Sequence, residues 1–204
     1  MATGRPREFD LDERLDRALE VFWRQGYEGT ALSDLTEAMG INRPSLYAAY
    51  GNKETLFRKA LDRYVRGPAS HVLTAQTEPT ARAVVEALLR GAIAVATRGP
   101  GGCLFVQGAL VTGEQNKSVR DEIAARRRAS EAALSERFER ARAEGDLPPD
   151  ADCSALAHYV WSVSYGLSVQ AAGGASRDDL ERVADLTLAA WPPATPAPGA
   201  SHRS

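Results

Sequence analysis

Apolar residues recur at intervals of three and four along most of the chain, the spacing of helices that bury one face. In residues 10–26, Leu11, Leu15, Ala18, Leu19 and Phe22 share a face. Asp10 and Glu13 form an acidic variant of a capping box at its start, and Gly26 supplies its stop. Trp23 and Tyr27 read as core members. Residues 30–57 then predict two short helices around a tight turn and the start of another. Thr30 is the expected cap of the first, with Leu32, Leu35 and Met39 inward and Gly40 ending it in a left-handed conformation. Asn42 caps the second, where Pro44 occupies a first-turn position that needs no N–H. Ile41 and Leu46 stand at the two positions of a hydrophobic staple. Asn52 caps the third, with Lys53 and Glu54 in its first turn.

The pattern continues with a helix over 53–66, burying Leu56, Phe57, Ala60, Leu61 and Tyr64, and a joint at Gly67 and Pro68. A strongly apolar helix over 80–97 carries only Arg82, Glu86 and Arg90 as charges. It is broken by R-G-P-G-G at 98–102, a turn rather than a phosphate loop, since no G-K-S/T follows and no strand precedes it. Residues 116–144 form a long charged helix with Val119, Ile123, Ser130, Leu134, Phe138 and Ala141 along one side. Glu122–Arg126 and Glu136–Arg140 are spaced as stabilising pairs, and Arg126, Arg127 and Arg128 spread around the helix as a solvated face. Gly145, Pro148 and Pro149 end it. Two further helices, 151–172 and 176–191, meet at a Gly-Gly turn. The first is apolar almost all round and must be covered on more than one side. Residues 1–9 read either as a disordered tail or as an arm whose Arg5 and Arg7 suit a narrow minor groove, and residues 192–204 read as a disordered Pro/Ala/Ser-rich tail.

Helix, glycine turn and capped helix make a helix-turn-helix, and the second helix leaves Arg43, Ser45, Tyr47 and Ala48 free of packing duties. One charge, hydroxyl donors and a small residue suit a major-groove edge. An ordinary helical hairpin is the plain alternative. The run I-N-R-P-S-L-Y-A-A-Y-G-N-K-E-T-L-F, preceded by W-R-Q-G-Y-E-G-T-A-L-S-D-L-T-E-A-M-G, resembles the signature of the TetR family of bacterial transcriptional repressors over residues 9–60.

That resemblance implies an all-α fold: an N-terminal three-helix DNA-binding domain (1–66, with 53–66 the first half of a connecting helix) and a larger helical ligand-binding and dimerisation domain (67–191). By position in the motif, Asn42, Arg43, Pro44, Ser45, Tyr47 and Ala48 should carry recognition, and Thr30, Ser33 and Lys53 should hold phosphates. The partners would be double-stranded operator DNA, a second copy of the chain and an unknown small-molecule effector. Cys103, Phe105, Gln107, His158, Trp161 and Tyr165 are the candidate effector contacts, with plain core or interface packing as the alternative, and Cys103, at a helix start, is either a reactive thiol or a small buried apolar residue. The last two helices of each subunit would close an isologous four-helix bundle. Its candidate contacts are Leu156, Tyr159, Val160, Val163, Leu167, Leu180, Val183, Ala184, Thr187, Leu188 and Trp191.

Charge changes this picture little. Residues 1–66 hold eleven basic and eleven acidic side chains, but residues 42–66 hold six basic and two acidic, and the acidic ones gather in the first helix, away from the expected duplex. Two cysteines without C-x-x-C spacing argue against a metal or disulfide framework. The N-terminus has no apolar targeting core and no run is long enough to span a membrane, which predicts a cytoplasmic protein. Three histidines without H-E-x-x-H spacing, and no G-x-S-x-G or dinucleotide fingerprint, give no catalytic residues, cofactor or metal to expect. A small helical enzyme and a helical protein-binding adaptor remain the rival classes, separable from a DNA-binding protein by salt dependence.

Overall fold

A computed structural model describes residues 5–109 and 113–193, and side chains from Leu11 onward except that of Ala109. Among the described residues the chain is all helix: α1 (Arg5–Gly29), α2 (Leu32–Met39), α3 (Arg43–Tyr50), α4 (Lys53–Arg66), α5 (His71–Ala75), α6 (Ala81–Arg98), α7 (Leu104–Ala109), α8 (Lys117–Ala143), α9 (Cys153–Ala172) and α10 (Arg177–Ala189). A single 3₁₀ turn, Glu114–Asn116, leads into α8.

Two cores organise these helices. The first joins α1 to α4 around Phe22, Leu35, Leu46, Phe57 and Tyr64. Phe22 meets Phe57 edge-on at 5.0 Å, and Trp23 meets Tyr64 in the same way at 5.0 Å. This core continues past the joint at Gly67 and takes in Leu104, Val119 and Ile123. The second core lies between α6, α8, α9 and α10, with Leu89, Phe138, Val160 and Trp191 at its centre. Arg90 of α6 clasps α10 through Glu181 and Asp185, so the charges of that apolar helix serve its edge.

Local signals account for several boundaries. Asn52 accepts the Thr55 amide at 2.8 Å, Thr80 the Ala83 amide at 3.1 Å, and Ser176 the Asp179 amide at 3.2 Å. The start of α1 departs from expectation. The helix already runs from Arg5, so Asp10 and Glu13 lie inside it, and Glu13 pairs instead with Arg17 at 2.6 Å. The expected arm is therefore helical from Arg5; residues 1–4, the side chains of Arg5, Arg7 and Asp10, and the tail from 194 lie outside the described residues. Gly26 (φ +70°) breaks the helix where expected, but one further turn follows to Gly29. Leu11 is 40% exposed rather than buried.

Where α5 crosses α6, Gly91 leaves no room for a side chain: a Cβ there would sit 2.3 Å from the Cδ2 of His71. Gly91→Ala is expected to cost about 1–3 kcal/mol by displacing the imidazole. The melting temperature should fall, and a His71→Ala background should recover part of the loss, since the imidazole is gone but the Cβ 2.7 Å away remains. An equal penalty in both backgrounds would contradict this packing.

Candidate functional site

The exposed face of α3 follows from how its two ends and its inner side are held. Gly40 (φ +64°) turns the chain out of α2. The Asn42 side chain accepts the Ser45 amide at 2.9 Å, and Pro44 lies in the first turn. Leu46 and Tyr50 are buried, and the Tyr50 hydroxyl donates to the Leu11 carbonyl at 2.8 Å. What remains outward is Asn42, Arg43, Pro44, Ser45, Tyr47, Ala48 and Ala49, with Tyr47 49% exposed. The six expected recognition residues thus share one open surface, and Ala49 joins them as a small residue that sequence reasoning passed over.

The flanking positions are more mixed. Ser33 is exposed as expected. Thr30 is not: it is 1% exposed, and its hydroxyl donates to the Gly26 carbonyl at 2.6 Å. The cap position of α2 falls to Ala31, whose amide donates to Asp34 at 2.9 Å. Thr30 therefore ties α1 to α2 and has no surface for a phosphate. Lys53 lies half-buried with its Nζ 4.4 Å from the centre of the Tyr27 ring. Burial lowers its pKa, and Glu28 and Asp34 oppose that shift.

The local surplus of positive charge is smaller than the count suggested. Arg63 forks onto Asp16 of α1 at 2.6 and 2.7 Å, and Arg58 pairs with Glu54 at 2.7 Å. Acidic residues of α1 reach α4 because the two helices pack together.

A cavity of about 100 Å³ opens between α4, α5, α6, α8 and α9, with Cys103 and Phe105 on its wall. Trp161 and Tyr165 line it too, so four of the six expected effector contacts meet there. Gln107 does not line it, and neither does His158, whose exposed ring faces Glu131 at 3.1 Å. Sequence reasoning missed Tyr64, His71 and Arg127. All three sit on helix faces that only tertiary packing brings together. Burial pushes the Tyr64 phenol far above its ordinary pKa, and the adjacent Cys103 adds to the shift. Burial likewise raises that of Tyr165, which Arg127 partly offsets. Arg126 and Arg127 are thus no merely solvated face. Arg126 bridges Glu122 at 2.7 Å and Asp62 of α4 at 2.5 Å, while the Arg127 guanidinium covers the Tyr165 ring at 4.3 Å.

The cavity is wired to the helices that carry α3. The Trp23 indole N–H donates to the Gly102 carbonyl at 3.2 Å, next to Cys103. Glu28 accepts from the Gly113 amide at 2.7 Å and from Asn116 at 2.9 Å.

The expected pairing face divides in two. Val160, Leu167, Leu180, Ala184, Thr187, Leu188 and Trp191 are buried within the protomer, Trp191 against Phe138 at 5.3 Å, and cannot meet a second copy. They were misassigned because α9 is apolar all round and its inner and outer sides look alike. Tyr159 (44%) and Val183 (43%) are exposed, and Leu156 and Val163 are half-buried. Val169 and Leu186, at 54% and 71% exposure, are apolar outer residues that the sequence pattern did not single out.

Comparison with known proteins agrees with this geometry. The family described as "Bacterial regulatory proteins, tetR family" matches residues 15–60, and "Tetracyclin repressor-like, C-terminal domain" matches residues 79–186. The transcriptional repressor ComR of Escherichia coli K12 is 36% identical over 195 residues, covering 93% of this chain and 92% of the relative. BdcR, a repressor of the same organism, is 29% identical over 181 residues, covering 87% and 86%. Among solved structures, a cysteine-substituted form of the TetR-family regulator CifR, complexed with a 26-base-pair operator duplex, superposes with a TM-score of 0.85. It shares 44% identity over 93% of this chain and all of that one.

Proposed function

The chain belongs to the TetR family of bacterial regulatory proteins and is a DNA-binding transcriptional repressor of that type; from that premise we propose how its own residues divide the work. Residues 11–66 present α3 to the major groove, and the helices beyond Gly67 pair the subunits and hold an effector. Asn42, Arg43, Pro44, Ser45, Tyr47 and Ala48 form the reading surface. Arg43 is the base-reading group, since a guanidinium grips guanine with two bonds. Tyr47 donates to phosphate, and Ser33 and Lys53 flank it. The observation that carries this reading is the outward set on α3 beside a fully buried Leu46. CifR, the related regulator held on operator DNA, supports it.

Pairing uses the outer sides of α9 and α10. Tyr159, Ser162, Gly166 and Val169 recur at helical spacing on one, and Val183 and Leu186 on the other, followed by Ala190 just past its end, all exposed. Gly166 has nothing within 4 Å of a built Cβ, so no contact inside the protomer calls for a glycine there. A mid-helix glycine costs about 1 kcal/mol relative to alanine. Close approach of a partner helix offsets that cost. Two copies related by a two-fold axis then read a pseudo-palindrome with half-sites about one helical turn apart.

Control runs from the cavity. An effector that favours the arrangement with wrongly spaced recognition helices lowers operator affinity, and the operator lowers effector affinity by the same factor. Trp23–Gly102 and Arg126–Asp62 are the contacts through which cavity and reading head bias one another. The protein works in the cytoplasm, bound to the nucleoid.

Selection from random duplexes with the purified full chain tests the proposal. The expected yield is a pseudo-palindrome with two half-sites about one turn apart. Enrichment of a single half-site, or of nothing, would contradict it. A second expectation concerns coupling: Asp62→Asn should reduce the ratio of operator affinities without and with effector, typically 5–150-fold in such systems. An unchanged ratio would remove Arg126–Asp62 from the route.

A further inference from the structure

We propose that the cavity takes a compact monoanion with an apolar body, a small carboxylate, whose head group is gripped by Arg127. This rests on the effector-cavity reading and adds to it the chemistry of the ligand. Among the described residues the lining carries Arg127 as its one strong cation and holds neither Asp nor Glu. Most of the wall is apolar, including Val65, Val72, Leu73, Val95, Phe105 and Trp161.

Arg127 differs from its neighbour. Arg126 has two carboxylate partners, Glu122 and Asp62. For Arg127 no carboxylate lies within ion-pair distance among the described residues. Glu131, one turn on, faces His158 instead. The Arg127 guanidinium rests on the Tyr165 ring at 4.3 Å and interacts with the Tyr165 hydroxyl, contacts that orient it and leave the rest of its N–H fork without a carboxylate.

Other polar groups of the lining are partly spoken for. Ser130 donates to the Arg126 carbonyl at 3.1 Å and Ser168 to the Ser164 carbonyl at 3.0 Å. His71 also lines the chamber, and its buried Nδ1 makes no well-formed hydrogen bond, with the Pro68 carbonyl as its nearest polar neighbour. A half-buried cation over an apolar chamber selects an anion, and a planar fork selects a carboxylate. One guanidinium balances one charge, so a dianion would carry an uncompensated charge inward. The chamber, about 100 Å³, is smaller than the ~150 Å³ apolar cavity that holds benzene, so the apolar body is small.

Calorimetric titration of the full-length protein with isobutyrate and with isobutyramide, its neutral isostere, tests this. The carboxylate should bind at least about tenfold more tightly, the factor expected for a charge-assisted bond. Arg127→Gln, shown to be folded by its melting curve, should bind both alike. Equal affinity in the wild type, no binding of either, or a preference that survives Arg127→Gln would overturn the assignment. A parallel operator-release assay separates the two readings. Isobutyrate that binds through Arg127 without releasing operator DNA would sink the effector reading and leave the ligand class standing. Operator DNA that is bound while no carboxylate binds would do the reverse.

Discussion

Val183→Glu combined with Leu186→Glu is expected to give a folded monomer whose operator affinity has fallen by at least about a hundredfold. Both side chains are open to solvent in the protomer, 43% and 71% exposed, so charging them removes little of its own core. In the proposed dimer the same positions lie opposite their symmetry mates, and four carboxylates would have to be desolvated close together. A monomer still presents one α3 to one half-site. It loses the second engagement, which linkage otherwise makes nearly intramolecular, with gains of 10²–10⁴ typical of such systems. Sedimentation gives the oligomeric state, and a melting curve near that of the wild type gives the fold. A double variant that still sediments as a dimer would place the pairing face elsewhere.

The second large effect is expected at Arg43. It stands at the first position of α3, exposed, beside the Asn42 cap and Pro44 that fix the direction of the helix. Arg43→Ala should cost about 1–3 kcal/mol per half-site and relax sequence preference at the base it reads. A two-fold dimer pays that cost twice. Arg43→Lys keeps the charge but not the planar fork, so it should retain salt-dependent binding while losing most of the discrimination. Binding curves on specific and scrambled duplexes decide it. If Arg43→Ala left both unchanged, the base-reading role would pass to another residue of the face.

Local chemistry explains why the reading head was legible in the chain. Gly40, Asn42, Pro44 and Asn52 each act within one turn of their own position, and the structure has Asn42 and Asn52 capping as expected. Leu46 and Tyr50 point inward because helical spacing leaves them no alternative. Non-local partners were not legible. Nothing near Arg63 or Arg126 in the chain announces Asp16 or Asp62, 47 and 64 residues away. The Arg63 pairing removed a cation that the local count over residues 42–66 had credited to DNA. Thr30 failed differently: it and Ala31 both lie near the start of α2, and packing against Gly26 settled which one turned inward. The α9 and α10 faces were ambiguous because a helix apolar on every side does not label its outside. Exposure of Val169 and Leu186 supplied that label.

The cavity was the least predictable feature. Cys103, Phe105, Trp161 and Tyr165 could be proposed from composition, but Arg127 belonged to a basic run that looked solvated. Its position over Tyr165 depends on how α8 rotates against α9. Leu134 and Phe138, two and three turns along the same helix, are buried in the core that α8 shares with α9.

The most direct test is the binding of the intact protein to its selected duplex as salt is varied, with stoichiometry measured on the same complex. The account predicts two chains per duplex, and affinity that falls steeply between 50 and 200 mM salt, by roughly 10³-fold if about six phosphates are neutralised. One chain per duplex, or an affinity indifferent to salt, would contradict it.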